Sequence, residues 1–86
     1  MKLLKIISAK YMGDYSFHLE FNNGTTGEAD IKKELWGEVF EPLKEENKIE
    51  EFHIENGTLE WPNGADLAPE FLYELVEQGK TELSEK

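Results

Sequence analysis

The chain has 86 residues, 38% of them hydrophobic, with 19 acids against nine basic residues, all lysine, and no cysteine. A domain this short buries only about 60 to 65% of its unfolded surface, so it supports one modest core and excludes a second domain; the missing cysteine excludes disulfides, thiolate nucleophiles and sulfur-bound metals. A net charge of −10 repels polyanions, and without arginine there is no planar fork to read phosphate or guanine, so a direct nucleic-acid partner is not expected and a basic protein partner is.

At the start, Met1 to Lys10 carries Lys5 inside an apolar run and no small-residue cleavage site, and no stretch approaches a membrane span, so a cytoplasmic chain free of membranes is expected. Leu3 to Tyr11 is rich in Ile and Leu without clean alternation, which predicts a strand with neighbours on both faces. After Gly13 and Asp14, the residues Tyr15, Phe17, Leu19 and Phe21 alternate with Ser16, His18 and Glu20, the period of a half-buried strand. Asn22-Asn23-Gly24 then turns the chain. A loop of two residues would set Leu19 opposite Glu28 and bring a charge to the core face, whereas a loop of three, with Gly24 left-handed, pairs Phe21 with Thr25, Leu19 with Gly27, Phe17 with Ala29 and Tyr15 with Ile31. His18 then faces Glu28 on the other side.

Asp30 is placed to cap a short helix from Ile31 to Trp36 that Gly37 ends. Val39, Phe40 and Leu43 read as core plugs, with a docking patch of Trp36, Val39 and Phe40 around Gly37 as the alternative; Pro42 limits their stretch to an irregular or single turn, and Lys44 to Lys48 reads as an exposed charged loop. Asn56-Gly57 between Phe52-His53-Ile54-Glu55 and Thr58-Leu59-Glu60-Trp61 predicts a tight hairpin that pairs Ile54 with Leu59, Phe52 with Trp61 and His53 with Glu60. Pro62-Asn63-Gly64 is a turn, and Pro69 suits the first position of a helix. That helix sets Phe71, Leu72, Leu75 and Val76 inward and Glu70, Tyr73, Glu74 and Glu77 toward water, Gly79 is its expected stop, and 80–86 is a polar tail that frays from the single domain 1–79. Three strands, a short helix, two strands and a last helix amount to an α+β domain, with one antiparallel sheet of about five strands and its helices on one face.

The run Trp61-Pro62-Asn63-Gly64-Ala65-Asp66-Leu67-Ala68-Pro69-Glu70 resembles the signature of a bacterial family catalogued as domain of unknown function 2442. The rest agrees from about Leu3 to Val76: an early strand, a strand ending at Phe21 before an Asn-Gly turn, an acid at Asp30, and Val39-Phe40-Glu41-Pro42-Leu43 ahead of Phe52. The resemblance implies a small cytoplasmic domain without an assigned activity, one half of a two-gene cassette, with an antitoxin-like role suspected for such pairs. The acidic C-terminal extension is the main departure from the pattern.

Candidate chemistry is thin. His18 with Glu28 and His53 with Glu60 could ligate zinc only if the two hairpins were neighbours; with no HExxH and no close-set pair, solvated cross-strand ion pairs are the better reading, so no metal and no cofactor is expected. Asp66 and Glu70 flank Pro69 at the helix start, where carboxylates favour the positive end of the helix dipole, and a capping or turn role outweighs catalysis. No GxGxxG, P-loop, GxSxG or Cys-His pairing is present, so an enzyme, whether metal-dependent or acid-base, is the least supported class. The sequence therefore points to an acidic protein-interaction domain, antitoxin-like, with Trp36, Trp61, Asn63, Asp66, Glu70, Tyr73, Glu74 and Glu77 as candidate partner-binding residues. The competing reading is an acidic DNA mimic that fills the nucleic-acid site of another protein, which needs carboxylates spaced like phosphates along one surface.

Overall fold

A computed structural model describes residues 3–35 and 37–84. Ile6–Gly13 (β1), Ser16–Phe21 (β2) and Thr26–Asp30 (β3) form one antiparallel sheet in the order β1-β2-β3, and His53–Glu55 (β4), Thr58–Glu60 (β5) and Asp66–Leu67 (β6) form another in the order β4-β5-β6. The α+β class stands, but the single sheet of about five strands is corrected to two sheets of three. The strands do not run on sideways into one ladder; the sheets are stitched where β1 begins. There the Ile6 amide donates to the Gly57 carbonyl at 3.0 Å, while the Lys5 carbonyl accepts the Asn22 amide at 2.8 Å.

The two hairpin registers follow the sequence reading. Leu19 pairs with Gly27, Phe17 with Ala29 and His18 with Glu28, and the Phe21 amide donates to the Thr25 carbonyl across the loop. In the second hairpin His53 pairs with Glu60 and Ile54 with Leu59, with positive φ at Asn56 and Gly57. The unforeseen sixth strand has the same logic as the first loop. Trp61 and Ala65 bracket Pro62-Asn63-Gly64 as Phe21 and Thr25 bracket Asn22-Asn23-Gly24: the Trp61 amide donates to the Ala65 carbonyl at 2.9 Å and the Gly64 amide to the Trp61 carbonyl at 3.0 Å. Gly64, at φ 95°, supplies the left-handed corner, and the returning chain pairs Leu59 with Leu67.

Several local expectations change. β1 is an edge strand rather than one covered on both faces: Ile7 and Met12 remain 56% and 49% exposed, at the two places where its ladder with β2 skips a residue. Tyr15 is not in a strand but in the β1–β2 turn, left-handed at φ 65° beside Asp14 at φ 56°. Its amide donates to the Tyr11 hydroxyl at 3.0 Å, its own hydroxyl donates to the Lys44 carbonyl, and Lys32 Nζ stands 5.7 Å from its ring centre. The helix expected from Ile31 is only a single 3₁₀ turn, Lys32–Glu34, because the Ile31 amide is still donating to the Tyr15 carbonyl and extends the strand pairing; Asp30 does accept the Lys32 amide, at 2.9 Å. Trp36 lies outside the described residues.

Glu41–Lys44 forms another 3₁₀ turn with Pro42 in its first positions, and the expected charged loop after it contains a helical turn, Glu46–Ile49 (α1). It turns inward because Ile49 is fully buried and its carbonyl accepts the Trp61 indole N–H at 2.9 Å. Pro69–Ser84 (α2) is the one long helix among the described residues, and it packs chiefly on β3. Gly79 does not stop it: one glycine costs a helix about 1 kcal/mol and no more, and among the described residues a methyl there would meet only the Glu28 carbonyl oxygen, at 4.0 Å. Of the expected frayed tail, the backbone to Ser84 is thus helical, and Glu85 and Lys86 lie outside the described residues.

Phe17 stands at the centre of the core, its ring 5.1 Å from those of Tyr11 and Phe52 and 6.2 Å from Trp61. Leu72 and Val76 close the core from α2. Tyr73, expected in water, is half-buried with its ring edge-on to Phe21 at 5.2 Å, while Val39, expected as a plug, stays 41% exposed. Among the described residues no helix is long and apolar enough to cross a membrane.

Candidate functional site: an acid-rimmed apolar groove

Asn63 builds the site. Its side-chain carbonyl accepts the Ala65 amide at 3.1 Å, an Asx turn that shapes the β5–β6 loop, and its amide nitrogen donates to the Val39 carbonyl at 2.8 Å. One side chain thus clamps the 37–40 segment beside β6. Between them opens a groove of about 480 Å³, walled by Gly37, Val39 and Phe40 on one side and by Leu67, Ala68 and Phe71 on the other. Glu34 and Asp66 line it too, and no cation does among the described residues. Two other hollows, each about 300 Å³, mix signs: Lys48 and Glu51 flank one beside Trp61, and Lys33 sits with Glu28 and Asp30 in the other, between β3 and α2.

The structure divides the residues named from sequence. Asp66 is exposed at the groove, and Glu70 follows it, exposed, on the first turn of α2. Asn63 is a positioning residue rather than a contact. Trp61 is 2% exposed and spends its indole N–H on Ile49, so it belongs to the core. Glu74 is exposed further along α2, whereas Tyr73 packs on Phe21 and Glu77 is partly covered and engaged in a contact of its own. Sequence reasoning did not name Leu67, Ala68 and Phe71 as site residues, since they read as helix or helix-flank positions, and it set Val39 and Phe40 in the core with an exposed docking patch as the alternative. The signal for the exposed wall was the Val39-Phe40 pair two residues after Gly37 and ahead of a proline turn, apolar groups in a stretch that forms no regular element.

The histidines are not brought together. His18 lies exposed on the first sheet opposite Glu28, and His53 on the second, its Nε2 3.3 Å from Glu60 Oε1. No group of three or more His, Asp or Glu side chains able to hold a metal occurs among the described residues. The groove itself offers apolar surface with the carboxylates of Glu34 and Asp66 beside it.

The family model described as protein of unknown function, DUF2442, matches residues 6–78, from the first strand through most of α2. The chain belongs to the DUF2442 family. No curated protein and no solved structure matches it. The matched span takes in every groove-lining residue of this DUF2442 domain.

Proposed function

We propose that this DUF2442 domain is a protein-interaction module for a basic partner, which it takes at the groove between the 37–40 segment and β6. One observation carries the reading: apolar side chains that a core of this size would be expected to hide are held open by Asn63, with only carboxylates beside them, on a chain of net charge −10. Apolar contact supplies affinity and the acids supply orientation and association rate. In a two-gene arrangement the partner is the neighbouring gene's product, and the domain acts as the acidic, antitoxin-like member.

The test is co-expression with the adjacent gene's product, followed by affinity capture over a salt series. Retention that weakens with salt and is lost in Val39→Glu supports the reading. A basic partner held equally well by Val39→Glu would refute the groove. Loss confined to reversal of Glu70 and Glu74, with Val39→Glu unaffected, would instead favour the acidic mimic.

A further inference from the structure

β6 ends its sheet, and the register states which of its backbone groups face outward. Trp61 and Ala65 are a bonded pair, so in an antiparallel ladder Glu60 and Asp66 are a non-bonded pair and Leu59 and Leu67 a bonded one. The N–H and C=O of Asp66 therefore point away from β5, along the edge of the sheet and beside the groove. Among the described residues no backbone group takes up either of them. On each side of Asp66 the side chains of Ala65 and Leu67 turn to the buried face, while its own carboxylate is exposed.

We propose that the groove receives its partner by strand addition: an extended segment with the order apolar, Lys or Arg, apolar pairs antiparallel with β6 at Asp66. The inference rests on the groove being the interaction site. Its side-chain order comes from the pleat. A residue paired directly with Asp66 projects on the same face as that carboxylate, where a cation is favoured, and its two neighbours project on the opposite face, the face of Leu67, where Phe71 and Val39 line the groove. Main-chain bonds at one residue pair set the register and add about one hydrogen bond's share of affinity, roughly tenfold; the larger part comes from the two apolar side chains. A positive central residue also matches the carboxylate of Glu34.

The experiment is an amide NMR titration of the full chain with the blocked peptide Ser-Val-Lys-Val-Ser, with the same peptide N-methylated at its lysine, and with lysine replaced by glutamate. The expected result is a largest shift at the Asp66 amide, followed by Leu67, Ala68 and Phe71, and a loss of affinity of roughly tenfold on either change to the peptide. Asp66→Pro, which removes the outward N–H at a sheet edge that tolerates proline, is expected to bind the parent peptide more weakly than Asp66→Asn. Equal binding of the parent and N-methylated peptides, with shifts at Val39 and Phe71, would overturn strand addition and leave the groove as the interaction site. Absence of any shift at Asp66 would overturn it as well, and partner capture that still depends on Val39 would show that only the pairing mode had failed.

Discussion

The crossing of Lys5 over Gly57 is where the two sheets meet, and it makes a quantitative demand on one hydrogen atom. Replacing Gly57 with alanine would place a methyl 2.5 Å from Lys5 Cβ, 2.6 Å from its Cγ and 3.0 Å from its Cα, at a backbone φ of +81°. The left-handed conformation alone costs an alanine about 1–2 kcal/mol, and relieving the overlap adds about 1–3 kcal/mol because the Lys5 backbone must move as well as its stem. Moving Lys5 also strains the Ile6–Gly57 hydrogen bond that joins the sheets. Gly64→Ala is the internal control: φ is +95° there, but among the described residues the added methyl meets nothing within 4 Å. Urea unfolding of the two variants should therefore show Gly57→Ala to be the less stable by about 1–3 kcal/mol, a large share of the roughly 4–13 kcal/mol that holds a domain of this length together. Equal destabilisation of the two variants would refute the close crossing and with it the way the sheets are joined.

Trp61→Phe removes the indole N–H and leaves the Ile49 carbonyl without its donor in the interior; a loss of about 1–3 kcal/mol, read from the denaturant midpoint, is expected. Tyr73→Phe is expected to be nearly silent, within about 0.5 kcal/mol, since its hydroxyl is 3.5 Å from Thr25 Oγ1 while the ring contact with Phe21 is retained. Asn63→Ala should lower stability by about 1 kcal/mol and weaken partner capture further than that loss explains, because both walls of the groove depend on its side chain. The comparison with Val39→Ser separates the two effects: Val39 is 41% exposed, so its change should reduce capture with stability altered by only about 0.5 kcal/mol.

Much of the local pairing was legible before any coordinates. A strand with alternate aromatic residues has one permissible register once its loop length is set, because a slip of one residue exchanges the faces; this is why Phe17 opposite Ala29 and Ile54 opposite Leu59 could be counted out. Asp66-Leu67 is not legible as a strand in the same way, for two residues have no period, and Pro69, one residue further on, is a helix-start signal. Counting from Trp61 through the Asn-Gly loop to Ala65 would have found it. Tyr15 was misplaced for a related reason: a large aromatic is a poor choice for positive φ, and its turn is held by Tyr11, Lys32 and Lys44, contacts that come from three other parts of the chain.

By itself the sequence determined the α+β class, both hairpin registers, the inward face of the last helix and the acidic exterior, because alternation, loop chemistry and charge are properties of neighbouring residues. Whether the strands made one sheet or two, and which apolar residues stayed in contact with water, was decided only by the tertiary structure. Both depend on close approach between distant segments, Lys5 over Gly57 and Asn63 against Val39, and no local pattern in the chain encodes the distance between its parts.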